Sequence, residues 1–450
     1  MKIEMEYIEN QPHRHITSFQ VIILGFLSVI LLGSFFLMLP QATQDGMGAS
    51  FPDALFTATS AVCVTGLVVH DTATYWSFFG QTIIILLIQI GGMGVVTVAV
   101  AIATVSGRKI GLMQRSVMQE AISAHQVGGI VRMTKFILKT SILIELIGAM
   151  ILSSVFVKEF GAAKGIWYGM FHSISAFCNA GFDLLGVKGQ FSSLTSYAQD
   201  PVLNITVMGL IIIGGLGFLT WADIHKNKWC WKKYRMQSKV ILSVTAILII
   251  VPSVCFYLFE FTSLPEGERV WTSVFQAVTP RTAGFNTADL TLLSEAGQML
   301  MIVLMLIGGS PGSTAGGMKT TTIGVLFSSA VSVFRKNESA QLCGRRISDD
   351  AVKNAATILM MYVTLFLVGG MLISSIEGIP LVSALFETSS AIGTVGLSLG
   401  VTPSLGYISR GILIGLMFFG RVGGLTLIFA AFSERSSHHC RLPQEKITVG

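Results

Sequence analysis

Four short stretches of the sequence carry one glycine at a matching place: "CVTGL" (63–67), "CNAGF" (178–182), "RTAGF" (281–285) and "GTVGL" (393–397). Gly66, Gly181, Gly284 and Gly396 follow one another at intervals of 115, 103 and 112 residues. The chemistry on offer is that of backbone carbonyls. A dehydrated cation needs oxygen ligands in place of its water, and glycine lets a strand turn consecutive carbonyls toward one axis without side-chain clash. Four such strands around an axis, all from one chain, would make a selectivity filter. Its residues would be Val64, Thr65 and Gly66; Asn179, Ala180 and Gly181; Thr282, Ala283 and Gly284; and Thr394, Val395 and Gly396. Asp71, Asp183 and Asp289 lie two to five residues past the first three glycines. At an outer mouth they would concentrate cations; the alternative is ordinary solvated loop carboxylates. Cys63 and Cys178 hold the same place in their repeats and read as small buried side chains behind the strands.

The elements that would position these strands recur in the same order. A short apolar piece precedes each: "FPDALFTATSAV" (51–62), "GIWYGMFHSISAF" (165–177), "VWTSVFQAVT" (270–279) and "PLVSALFETSSAI" (380–391). At 1.5 Å per residue such helices reach about 15–20 Å, so they enter a bilayer without crossing it. Their partially negative carboxyl ends would point at the centre and favour a cation. Each glycine is followed, 24 to 33 residues later, by a second glycine cluster: "GGMG" (91–94), "GGLG" (214–217), "GGSPG" (308–312) and "GRVGG" (420–424). Four ordered copies of two clusters mean one supersecondary unit used four times. The expected fold is an all-α polytopic membrane protein. Four M1–pore helix–M2 repeats, with eight transmembrane helices and four re-entrant pore loops, would surround one central cation pore. The repeats are set at 17–106, 134–224, 237–334 and 354–433. Cytoplasmic linkers are set at 107–133, 225–236 and 335–353, with polar termini at 1–16 and 434–450.

Composition and charge agree with a membrane chain. Of 450 residues, 52% are hydrophobic and 12% charged, about half the charged share of a soluble domain. The run at 19–39 is uncharged over 21 residues, long enough to cross about 30 Å of hydrocarbon. It is read as a retained helix, without a cleavage pattern after it. Of the 30 Lys and Arg, 22 fall in the termini and in segments 108–139, 226–239 and 335–353. The positive-inside rule puts these, with both termini, in the cytoplasm. Basic residues placed by topology give no reason to expect nucleic-acid binding. The six cysteines form no C-x-x-C pair, and "SSHHCR" (436–441) reads as a solvated tail.

One stretch, "GGSPGSTAGGMKTTT" (308–322), imitates a phosphate-binding loop. Met318 breaks the required spacing, and no soluble strand–loop–helix surrounds it, so a membrane ATPase is set aside. Pro311 and the flanking glycines should instead break the third repeat's second span. Irregular backbone at that depth makes sense only against a watery cavity. The loop comprises Gly308, Gly309, Ser310, Pro311, Gly312, Ser313, Thr314, Ala315, Gly316 and Gly317, with Lys319 after it. Two intramembrane arginines stand out: Arg421, within "FFGRVGG", and Arg281, three residues before Gly284, for which Glu387 is one candidate partner. A carrier with a closed midplane site is a second reading, although carrier repeats are usually twofold and often inverted.

The four repeats with single filter glycines resemble the Trk/Ktr/HKT superfamily of potassium transporters, most closely its bacterial Ktr-type membrane subunit. The likeness spans residues 17–433. It implies that the four glycines line a K+ filter and that the intramembrane loop 308–318, with Lys319 after it, is a movable gate beneath it. It also implies that Arg421 is a barrier beside the loop, and that Gly66 marks potassium selectivity over sodium. The family further implies a bacterial cell-membrane homodimer in the lipid bilayer, seated on a cytoplasmic ring of RCK (KTN) subunits. ATP or ADP would act only through that ring, with no cofactor in this chain, and Na+ would be an activator.

Overall fold

Several of the helices begin where a short polar side chain accepts their first free backbone N–H groups. Thr17 and Gln20 form a capping box at α1 (Ser18–Leu37), and Ser50 caps α2 (Phe51–Val62). The computed structural model describes residues 17–105, 111–122, 129–228, 230–337 and 339–431. The terminal segments 1–16 and 434–450, with the "SSHHCR" tail, lie outside the described residues, as does part of the first linker.

The first repeat continues through α3 (Thr72–Tyr75), α4 (Phe78–Met93) and α5 (Val95–Val105), and α6 (Leu112–Ile122) follows. The second has α7 (Ile130–Phe177), α8 (Pro201–Gly215) and α9 (Phe218–Asn227). The third has α10 (Met236–Cys255), α11 (Glu266–Val278), α12 (Glu295–Leu306) and α13 (Thr320–Phe334). A two-residue hairpin, β1 (Gln341–Leu342) with β2 (Arg345–Arg346), precedes the fourth: α14 (Asp349–Glu377), α15 (Leu381–Gly393), α16 (Tyr407–Val422) and α17 (Gly424–Ala431). Helix α7 is two limbs joined at Gly161, whose φ of 77° turns the chain back into the bilayer. Among the described residues, four helices are long and apolar enough to cross a membrane: α1, α7, α10 with its π-helical end, and α14.

These four are the first spans of the repeats. The second spans are all interrupted, whereas the sequence marked a break only in the third. Gly94 (φ 85°), Gly217 (φ 89°) and Gly423 (φ 91°) each separate two helical pieces, and residues 307–319 do so in the third repeat. Helices α8 and α9 bend by 98° across their break. A φ near 90° with ψ near 135° is open only to glycine, so a lone glycine ends a helix as firmly as Pro311 does.

Below the strands, the second spans lie directly on the ends of the re-entrant helices. A methyl on Gly91 would strike the carbonyl of Val62, on Gly214 that of Phe177, and on Gly420 that of Ile392. These carbonyls stand four residues before Gly66, Gly181 and Gly396 respectively. In lipid, where helices gain little from burying apolar surface against one another, such close backbone approach is the main source of packing energy. Replacing Gly217 with Ala should cost about 1–3 kcal/mol, because the residue must keep a backbone reserved for glycine. A fall in the unfolding temperature of detergent-purified Gly217→Ala checks this; an unchanged temperature would show that the break does not constrain the fold.

Candidate functional site

The four re-entrant helices α2, the second limb of α7, α11 and α15 end within six residues of Gly66, Gly181, Gly284 and Gly396. Past each helix the backbone alternates. The residue two before the glycine takes a left-handed φ: 57° at Val64, 60° at Asn179, 66° at Thr282 and 51° at Thr394. Thr65, Ala180, Ala283 and Val395 do not, and the glycines return to positive φ at 92°, 69°, 79° and 95°. Left-handed backbone at a branched residue is strained and persists only where the surroundings dictate it. It occurs here at Val64, Thr282 and Thr394, and Asn179, whose side chain tolerates left-handed backbone, takes it at the same place in the second repeat.

The glycines close a ring. A methyl on Gly66 would collide with the carbonyl of Ala180, on Gly181 with that of Ala283, on Gly284 with that of Val395, and on Gly396 with that of Thr65. Adjacent strands thus meet backbone to backbone, with no room for a side chain. All four glycines line one outward cavity of about 360 Å3. Thr65 Oγ1, Asn179 Oδ1 and Thr394 Oγ1 are buried with no hydrogen-bond partner among the described residues. Carbonyls and bare side-chain oxygens, with no acidic group on the strands, form a donor set for a weakly hydrated monovalent cation.

Pore-helix hydroxyls hold the strands, a role not read from the sequence. Ser60 Oγ accepts from the Gly66 N–H at 3.1 Å, and Ser390 Oγ from the Gly396 N–H at 2.9 Å. Ser175 and Thr279 instead donate to the carbonyls just past the glycines, at Phe182 and Phe285. Serine six residues before the glycine in three of the four repeats was the available signal. Nine residues before it stand His172 and Glu387. His172 Nε2 lies 3.3 Å from the Leu184 N–H, and Glu387 Oε1 accepts from Ser398 Oγ and from the Leu399 N–H at 2.7 and 3.0 Å. Glu387 is thus committed to its own loop. Arg281 points elsewhere, donating from Nη2 to Thr245 Oγ1 at 3.2 Å, so the candidate pairing of Arg281 with Glu387 does not form.

Asp71, Asp183 and Asp289 share the outer cavity with the glycines. All three also brace loops. Asp71 accepts from the Ala73 and Thr74 N–H groups and, across repeats, from that of Phe191 at 3.0 Å. Asp289 caps the turn at Thr291, and Asp183 accepts from the Leu185 N–H at 2.9 Å. Desolvation pushes the Asp183 carboxyl up to about 7; the Leu185 N–H opposes the rise, and the nearby Asp71 charge adds to it. Cys63 and Cys178 are buried, as expected of small side chains behind the strands.

The loop between α12 and α13 is stitched to its neighbours. Ser310 and Thr314 donate their N–H groups to the carbonyls of Gly215 and Gly214, and the Phe218 N–H returns to Gly312 at 2.7 Å. Gly317 donates to the Gly420 carbonyl at 3.1 Å, and a methyl on Gly316 would collide with Thr394. Gly308 and Thr320 close the loop on itself through Met318 and Gly309. Ser310 Oγ and Thr320 Oγ1 are 3.2 Å apart, and Ser313 Oγ donates to the Ser310 carbonyl. Lys319 folds back, its Nζ donating to the carbonyls of Ala315 and Gly316 at 2.9 and 3.3 Å. The loop therefore lies under the fourth strand and against the broken span of the second repeat.

Arg421 clamps this loop from the fourth repeat. Nη1 donates to the Thr314 carbonyl, and Nη2 to the carbonyls of Gly91 and Gly92. One guanidinium thus joins the loop to the break in the first repeat, using carbonyls that interrupted helices leave free. Arg421 and Lys319 line an inner cavity of about 300 Å3 bordered by Gly94 and Gly423.

Comparison with known proteins gives the chain's family. The family described as "TrkH: Cation transport protein" matches residues 5–439. The potassium/sodium uptake protein NtpJ of Enterococcus hirae is 41% identical, over 99% of this chain and 100% of that relative. The Ktr system potassium uptake protein B of Bacillus subtilis is 38% identical, over 96% of both chains. The crystal structure of the potassium transporter TrkH from Vibrio parahaemolyticus superposes with a TM-score of 0.74 at 20% identity, covering 94% of this chain and 86% of that one; it speaks for the fold alone. With the matching family spanning nearly its whole length, the chain belongs to the TrkH cation transport family, as a multi-pass membrane transport protein and not an enzyme.

Proposed function

We propose that this chain is the ion-translocating subunit of a bacterial potassium uptake system, passing K+ through the ring of four glycines. The observation that carries the reading is the ring itself: four strands in backbone contact around one cavity, each with left-handed backbone two residues before its glycine. The carbonyls of Val64, Asn179, Thr282 and Thr394 and of the residues after them replace the ion's water, and the re-entrant helix ends favour its charge. Asp71, Asp183 and Asp289 supply the outer field. Loop 308–319 is the gate. Its bonds to the second and fourth repeats describe a closed arrangement, with Arg421 as the latch. Two copies of the chain sit on a cytoplasmic ring of nucleotide-binding RCK-type subunits, which moves the loop, and Na+ stimulates uptake. The names of the Enterococcus and Bacillus relatives, potassium/sodium uptake and Ktr system potassium uptake, support this substrate and setting.

Gly66→Ser places a side chain where the Ala180 carbonyl stands, so the first strand must shift. Sodium flux relative to potassium should rise in proteoliposomes; an unchanged ratio would falsify the filter assignment. The raised carboxyl at Asp183 loses its proton progressively around pH 7, so its pull on cations grows as pH rises. Potassium uptake at low external K+ should therefore climb between pH 6 and 8, and Asp183→Asn should flatten that climb and lower uptake at pH 8 by up to about tenfold. An identical profile in the variant would remove Asp183 from the outer field.

For the gate and its partner, uptake is measured in a potassium-uptake-deficient bacterium, with and without a co-expressed RCK-type subunit and external Na+. The intact chain should depend on both. A chain lacking Ser310–Gly317 should be faster and insensitive to the subunit. A deleted protein that folds but transports less would sink the gate. Activity independent of the subunit or of Na+ would sink the corresponding part, and a monomer in native mass spectrometry would sink the dimer.

A further inference from the structure

Glu145 lies midway along the first limb of α7, between Ile130 and the turn at Gly161. It is 7% exposed, and no ion pair among the described residues includes it. Its partner is the Gln89 amide, whose Nε2 donates to both carboxyl oxygens at 2.9 and 3.2 Å. Gln89 stands on α4, two residues before Gly91, and its Oε1 faces the Cys178 thiol at 3.8 Å. Cys178 leads into the second strand, three residues before Gly181. Cys178 has little freedom to move away, because its Sγ and Cβ lie where a methyl on Gly92 would be. A polar line therefore runs from the middle of one span, through the first repeat, to the base of the second strand.

The fourth repeat shows that the joint itself does not need an acid. Ser173 and Thr388 each stand eight residues before their strand glycine. Ser173 Oγ donates to the Glu145 carbonyl at 2.7 Å, and Thr388 Oγ1 lies 3.3 Å from the Phe366 carbonyl, with the Ala384 and Leu385 carbonyls of its own helix at 3.1 and 3.2 Å. The same approach of a re-entrant helix hydroxyl to a first-span carbonyl is thus seen at Phe366 in one repeat and at Glu145 in the other. A carboxyl group at mid-membrane is costly and is retained for something beyond packing. Here it sets the direction of an amide. With Nε2 committed to both carboxyl oxygens, the Gln89 carbonyl must face the opposite way, toward the thiol. A second amide at position 145 could satisfy Gln89 in either orientation, and the thiol would lose its fixed acceptor.

We propose that Glu145 is a positioning residue for ion selection, holding the second strand in its ion-selective geometry through Gln89 and Cys178. This rests on reading the glycine ring as the filter. The test compares Glu145→Gln, Glu145→Phe, the exchanged pair Glu145→Gln with Gln89→Glu, and Gly66→Ser. Each is purified, its unfolding followed in detergent, and its K+ and Na+ fluxes measured in proteoliposomes. Glu145→Gln and Glu145→Phe should lower the K+/Na+ flux ratio by about threefold or more. The exchanged pair, which restores a carboxylate facing both an amide and the thiol, should recover it. A parental ratio in folded Glu145→Gln overturns the proposal, as does an exchanged pair no better than Glu145→Gln alone. If Glu145→Phe does not fold, Glu145→Gln and the exchanged pair decide. A parental ratio in Gly66→Ser would overturn the filter reading itself. A lowered ratio there, beside parental ratios in the Glu145 variants, would overturn the role of Glu145 alone.

Discussion

The structure depends on one constraint: four non-helical strands meet, glycine against carbonyl, at the centre of a membrane protein. Unpaired backbone in hydrocarbon costs several kcal/mol per group, so it must be enclosed by protein or face water. The four re-entrant helices meet this need by bringing each strand in from the outer side and wrapping it in buried side chains, among them Phe56, Phe171, Phe275 and Phe386. Glycine at the ring is required by contact as much as by conformation, since each glycine touches the carbonyl of the strand beside it. Side chains there would force the strands apart and open the ring.

The fourfold plan is not carried out four times alike. In the first and fourth repeats a serine hydroxyl accepts from the strand glycine, while in the second and third a hydroxyl donates to the carbonyl after it. The same division appears below the ring. The first and fourth repeats border the inner cavity together, at Gly94 and Gly423. The second and third interlock, the long loop of one returning hydrogen bonds to the broken span of the other.

Charge inside the membrane is handled by backbone. Arg421 meets carbonyls from the third and first repeats, and Lys319 meets two carbonyls of its own loop. No carboxylate partner is used for either among the described residues. A guanidinium with five donors can join several free carbonyls at once, which a lysine on a flexible stem does less well. Broken helices supply those carbonyls, so the breaks and the cations stabilise one another. Glu145 is the mid-span counterpart of these cations, satisfied by an amide instead of a charge.

What the sequence determined by itself was the repeat, the glycines and a membrane chain. Periodic glycines, apolar lengths and the distribution of Lys and Arg are local properties, and local spacing suffices to read them. Gly66, Gly181, Gly284 and Gly396 could be named because the same order recurs four times, and Pro311 announced its break because it lacks an N–H. Other features had no local mark. Gly94, Gly217 and Gly423 look like any small residue at a helix contact until their φ is seen. The hydroxyls of Ser60, Ser175, Thr279 and Ser390 could equally have faced a neighbouring helix. Glu387 was a plausible partner for Arg281 by charge alone, yet loop closure at Ser398 and Leu399 claimed it. Only the tertiary structure decided that the ring closes in the order of the repeats, that Arg421 spans two of them, and that Glu145 reaches the second strand through Gln89. Those contacts join residues dozens to hundreds of positions apart, and which of many compatible partners a polar group meets is settled by packing.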